Sequence, residues 1–167
     1  LTTIDRILVG TDDRAEAGEG QSITLTFADD VDCSRGDVVA SGSQPPEVAD
    51  QFEATIVWMD ETALLPGRAY WMKLATQRVT ATVQPPKYRI NINDFERLAA
   101  RTLELNEVGV AEIYTDRPIT FEPYAANRTL GGFILIDKLT GATVGAGMLN
   151  FALRRAHNIH WQALDVS

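Results

Sequence analysis

The stretch GGFILIDKLTGATVGAGMLNF, Gly131 to Phe151, holds five of the twelve glycines in this 167-residue chain, and glycine clusters are where phosphate chemistry is first sought. A phosphate-binding loop needs G-x-x-x-x-G-K-[ST] between a strand and a helix, so that backbone N–H groups and a lysine meet the phosphates. Gly141, Gly145 and Gly147 precede no Lys-Ser or Lys-Thr, and AGMLNFALRR after them continues as strand. Gly131-Gly132 lacks the lysine too. The spacing predicts a hairpin instead, turning over Asp137 to Gly141. Gly145 and Gly147 then lie two apart on one strand face, where missing side chains let a neighbour approach closely or form a bulge.

The other reactive residues make weaker patterns. His157 and His160 could share a helical face, but no third ligand converges and Asp165 is the nearest carboxylate in sequence, so the metal reading is weak. Asp12-Asp13 and Asp29-Asp30 with Asp32 fail the twelve-residue calcium spacing and read as solvated loops. Cys33 is the only cysteine, which excludes internal disulfides and cysteine-rich zinc patterns. Its one neighbouring cation is Arg35. Arg35-Gly36-Asp37 matches an adhesion tripeptide, and Asn127-Arg128-Thr129 is a formal glycosylation sequon. The nucleophile elbow G-x-S-x-G is absent. The residues therefore predict no catalytic, cofactor-binding or metal-binding site, and a binding or assembly role.

Charge narrows the partners. Residues 1–61 carry 14 acidic and 3 basic side chains (−11), and residues 62–167 carry 9 and 12 (+3), for a net −8. The acidic part is a poor surface for a phosphate backbone, so no nucleic-acid partner is expected. No apolar run reaches the 18 or more residues of a membrane-spanning helix, and no basic segment leads into an apolar one.

The elements that must position these residues are strands. IDRILV (Ile4 to Val9), SITLTF (Ser22 to Phe27), FEATIVWM (Phe52 to Met59), Ala69 to Leu74, Val79 to Val83 and VGVAEIYTD (Val108 to Asp116) all read as extended. ITFEPY after Pro118 is a further short apolar segment, and FILID with ATVGAGML forms a strand pair. Gly10 to Gln21 reads as an acidic loop and SGSQPPEVAD, Ser41 to Asp50, as a linker. Ile92 to Ala100 is open between a short helix capped by Asn93 or Asp94 and a connection between strands. Short strands divided by Gly and Pro turns predict an all-β barrel or sandwich.

Several blocks carry a resemblance. GEGQSITLTFADDVDCSRGDVV (Gly18 to Val39), FEATIVWMDETALLPGRAYWMKLATQRVTATV (Phe52 to Val83), LELNEVGVAEIYTDRPITFEPYAANRTLGGFILIDKLTGATVGAGML (Leu103 to Leu149) and NFALRRAHNIHWQ (Asn150 to Gln162) resemble the carboxy-terminal part of the large, GTP-hydrolysing subunit of sulfate adenylyltransferase. That family is similar in layout to elongation factors of the Tu and alpha type. The resemblance implies elongation-factor-like closed β-barrels: residues 1–42 as the end of a second-domain barrel, 43–156 as a third-domain barrel, and 157–167 as a tail toward a following adenylylsulfate kinase domain. It implies a cytoplasmic parent that uses GTP, ATP and Mg2+, with a preceding G domain and a small catalytic subunit as partners.

No G-domain motif occurs in the chain, so the resemblance assigns no catalytic or GTP-binding residue to it. Arg68, Tyr70, Trp71, Arg154 and Arg155 are the candidate contact residues it suggests. Equally open is that Tyr70 and Trp71 simply divide between core and surface on one strand. The rival readings are a translation-factor-like fragment that binds transfer RNA and a free-standing β module that binds a peptide.

Overall fold

The computed structural model describes residues 1–153. The chain divides between Ser34 and Arg35 into two compact units. In the first, β1 (Ile4–Val9), β2 (Asp12–Arg14) and β3 (Thr24–Phe27) form an antiparallel sheet in the order β2-β1-β3. The segment expected as an acidic loop thus contains β2, which pairs Val9 with Asp12 across a turn where Gly10 has φ 63°. Asp13 and Asp12 meet Arg6 and Arg14 at 2.9 and 3.5 Å on exposed side chains. β3 was expected to bury one face. Within this unit none of its residues is fully buried, because three strands alone cannot enclose a core.

The second unit closes. Its strands are β4 (Glu47–Trp58), β5 (Ala69–Leu74), β6 (Gln77–Val83), β7 (Tyr88–Ile90), β8 (Arg97–Leu98), β9 (Val108–Phe121), β10 (Gly132–Ile136) and β11 (Thr143–Ala152). They run β4-β11-β10-β5-β6-β9, and β9 pairs back onto β4, so six antiparallel strands make a barrel. β7 continues β6 along the same side of β9, and β8 pairs with β7. Only this one barrel is closed among the described residues.

Closure demands that alternate residues point inward. Along β4, Phe52, Ala54, Ile56 and Trp58 are buried, and along β5 so are Tyr70, Met72 and Leu74. Phe52 meets Phe121 edge-on at 4.9 Å, and Trp58 meets Tyr70 at 5.8 Å. The Trp58 indole N–H donates to the Thr62 carbonyl at 2.8 Å, which satisfies its polar tip.

Several elements run past their expected ends. The linker reading of Ser41 to Asp50 fails at its end, since Glu47, Val48 and Ala49 pair with Phe121, Thr120 and Ile119. β9 likewise joins two segments expected to be separate. A register shift opposite Ala49–Gln51 leaves Tyr114 to Ile119 bowed away from β4, and Pro118 lies in that bow. Residues 92–100 are no helix. Asn91 and Asp94 side chains accept backbone N–H groups of Asn93 and Glu96, tying a turn between β7 and β8.

The opening hairpin forms as the spacing predicts. Asp137 accepts from the Leu139 and Thr140 N–H groups, and the Gly141 N–H returns to the Asp137 carbonyl. Gly145 and Gly147 stand opposite Leu135 and Phe133 on the inward face. A Cβ at 147 would lie 2.3 Å from the Phe133 ring, and one at 145 would lie 3.3 Å from the Trp58 ring. The glycines make room for aromatic side chains inside the barrel.

Candidate functional site

The candidate contact residues separate once the barrel is built. Alternation along AYWMKL sends Tyr70 inward, where it is 2% exposed, so it is a core residue and no interface anchor. Burial pushes its phenol pKa up, against a backbone hydrogen bond from Leu65 that pulls it down. Arg68 pairs with the buried Asp137 carboxylate and lies over the Tyr70 ring at 5.7 Å. The two Asp137 contacts from the Thr140 and Leu139 backbone, and then Arg68, hold that carboxyl below the usual aspartate range. Arg68 is therefore committed within the barrel. Arg154 and Arg155 lie outside the described residues, as do His157, His160 and Asp165.

Trp71 points outward and is half-buried. The Arg78 guanidinium lies 4.0 Å and the Lys138 ammonium 4.1 Å from its ring centroid. Lys138 also donates to the Thr80 hydroxyl at 2.8 Å, and Arg117 to the Arg78 carbonyl at 2.8 Å. Sequence reasoning singled out Trp71 but missed these cations. The missing information was register: β5 and β6 pair Trp71 with Thr80 and Lys73 with Arg78.

One cross-strand row then runs around the outside of the barrel. Arg78 pairs with Lys73, Lys73 with Ile134, Ile134 with Ala146, and Ala146 with Val57. Where the row crosses β10 and β11 it lines an open trough of about 550 Å³, to which Lys73, Tyr124 and Arg128 also contribute. The short side chain of Ala146 leaves its floor shallow. One wall is a single helical turn, α1 (Arg128–Gly131), capped by the Asn127 side chain accepting from Thr129 and Leu130. The sequon asparagine is thus engaged on both ends, since its amide also donates to Glu122 at 2.7 Å.

The opposite treatment of charge is seen on the β4–β9 wall. Glu53 and Glu112 face each other in the ladder, and Lys87 bridges them at 2.9 and 3.1 Å. Donating hydrogen bonds to Glu53 and Glu112 raises the Lys87 pKa, while accepting them from Tyr114 and Lys87 lowers that of Glu112.

Among the described residues no group of three or more His, Cys, Asp or Glu side chains could hold a metal ion. Cys33 is exposed. Arg35-Gly36-Asp37 is a turn with Gly36 at φ 109°, packed near Gln77. Among the described residues no helix is long and apolar enough to cross a membrane.

Comparison with known proteins places this barrel. Solved structures of sup35 complexed with GDP and with GMPPNP superpose with TM-scores of 0.80 and 0.81, over 92% of this chain and 38% of theirs, at 19% identity. That likeness defines the class of fold: an antiparallel β-barrel module of the kind found in sup35. Residues 51–150 match the family described as GTP-eEF1A C-terminal domain-like, and the chain belongs to that family.

Closer relatives are similar over nearly the whole chain. It is 55% identical over 163 residues, 98% of its length, to the bifunctional enzyme NodQ of Rhizobium sp. (strain N33), and covers 25% of that protein. It is 49% identical to the bifunctional enzyme CysN/CysC of Xylella fastidiosa, over 99% of this chain and 27% of the relative. Against sulfate adenylyltransferase subunit 1 of Aeromonas salmonicida it is 42% identical over 99% of its own length, covering 39% of that protein. The chain spans about a quarter of the length of the bifunctional relatives.

Proposed function

We propose that this chain is the non-catalytic barrel portion of a GTP-dependent sulfate adenylyltransferase large subunit, and that it serves assembly. The observation that carries the reading is the similarity to NodQ, CysN/CysC and sulfate adenylyltransferase subunit 1 over 98–99% of the chain. The geometry supports the non-catalytic part: the interior is filled by side chains, and its best-placed carboxylate, Asp137, is already satisfied by two backbone N–H groups and Arg68.

In this reading the parent acts in the cytoplasm and forms adenylylsulfate from ATP and sulfate, driven by GTP hydrolysis with Mg2+. A preceding G domain and a separate small subunit supply the nucleotide chemistry. Residues 1–42 end a second-domain barrel, 43–156 form the third-domain barrel, and 157–167 lead toward a kinase domain.

Two measurements test this. Calorimetry of the chain with GTP and Mg2+ is expected to show no specific site, and micromolar binding would overturn the non-catalytic assignment. Deleting this portion from the complete large subunit is expected to abolish co-purification of the small subunit and GTP-stimulated adenylylsulfate synthesis. Full retention of both would remove the assembly role.

A further inference from the structure

Two like-charged pairs face each other across barrel ladders, and the protein treats them differently. Glu53 opposite Glu112 is neutralised from within by Lys87. Lys73 opposite Arg78 is not: both are exposed, and neither forms an ion pair among the described residues. Like charges directly opposite in a ladder destabilise a sheet. Lys138 and Arg117 stand beside the pair, and Arg128 lines the same trough as Lys73, also without ion-pair partners among the described residues. Five cations without an ion pair among the described residues thus gather around this wall in a chain whose net charge is −8, and the carboxylate beside them, Asp116, accepts from the Thr80 N–H at 3.1 Å.

The floor between them is apolar. Val57, Ile134, Ala146 and Met148 line the trough, and no carboxylate does. We infer that this wall is a docking surface for an acidic segment of a partner protein, with carboxylates on Lys73, Arg78 and Arg128 and an apolar side chain seated over Ile134 and Ala146. The apolar floor favours a protein over a nucleic acid. Trp71 beside the trough already has two cations over its ring and is not open to stack on a base. This deepens the assembly reading and rests on it, adding the surface and the chemistry of what it holds.

The test uses the full 167-residue chain and three probes: a twelve-residue peptide alternating Glu and Leu, its Lys-for-Glu counterpart, and a transfer RNA. Amide chemical-shift mapping with the Glu-Leu peptide is expected to move residues around Lys73, Ile134 and Ala146. Lys73→Glu combined with Arg128→Glu is expected to weaken binding at least tenfold, and raising salt is expected to weaken it too. Lys73→Gln guards against misfolding as an explanation: it relieves the repulsion with Arg78, so the melting temperature should rise while peptide binding falls. Equal binding of the Lys-Leu peptide, shifts mapping elsewhere, or tighter binding of transfer RNA at the same wall would each overturn the proposal. Any of these, with the deletion result above intact, removes the surface and leaves the assembly role standing.

Discussion

Phe133 lies directly across from Gly147 in the β10–β11 ladder, and its ring fills the volume that a side chain at 147 would need. An added Cβ would come within 2.3 Å of the ring and 2.8 Å of the Thr55 carbonyl, so both a packed aromatic and a paired backbone resist it. At Gly145 the nearest atoms are 3.3 Å away, a distance small adjustments can relieve.

The two glycines should therefore respond differently to the same change. Gly147→Ala is expected to destabilise the barrel by about 1–3 kcal/mol, as overpacking does. Gly145→Ala should cost less, and Gly145→Val should approach the cost at 147. Urea unfolding of the variants measures the order. Equal and negligible losses at both positions would show that the ring does not need the space.

Lys87 is expected to matter in proportion to what it separates. Its removal leaves Glu53 and Glu112 opposed in the ladder. Because Lys87 is 40% exposed, solvent screens much of the repulsion, and Lys87→Met should cost no more than about 1 kcal/mol. The loss should shrink in high salt, and Glu53→Gln in the same chain should recover it. A double-mutant cycle in which the two changes simply add would contradict the bridge.

The capped turn beside the trough offers a separate measurement. Asn127 accepts from two N–H groups of α1 at 3.0 and 3.2 Å, so Asn127→Ala should cost about 1 kcal/mol, a usual value for a lost N-cap. Because α1 walls the trough, the same variant should broaden the amide signals of Arg128 and Thr129. Unchanged stability and unchanged signals would show that the cap holds nothing in place.

How far the sequence carried this account depended on whether the deciding interaction was local. The bounds of AYWMKL could be read directly, but the division of Tyr70 from Trp71 was left open and settled only by the barrel's alternation. The hairpin at Asp137 was equally local, since its turn is made by the backbone within four residues. Glu47 to Asp50 and the bow near Pro118 were not readable, because each is extended only by virtue of the other. The cationic wall failed for the same reason. Lys73 and Arg78 are close in sequence, but Arg128 lies in α1 and Lys138 in the β10–β11 turn, and only barrel closure brings them to this side. Charge totals flagged residues 62–167 as mildly basic without showing that the excess shares a face.

Asp137 gives the clearest pH dependence. Its carboxyl is held below the usual aspartate range by the Thr140 and Leu139 N–H groups first, with Arg68 adding to them. A lowered folded-state pKa means that the unfolded chain takes up the proton first as pH falls. The stabilisation is thus complete above the ordinary aspartate value of about 3.9 and drains away as pH drops below it, through the folded-state pKa. Asp137→Asn keeps an oxygen for the turn but presents no charge to Arg68. The variant should be less stable than the parent protein at pH 7, and the gap should close as pH falls toward 2. Urea midpoints at pH 7 and at successive steps below 4 follow it. A gap that stays constant across that range would mean the Asp137 charge contributes nothing, and that its hydrogen bonds to the turn do all the work.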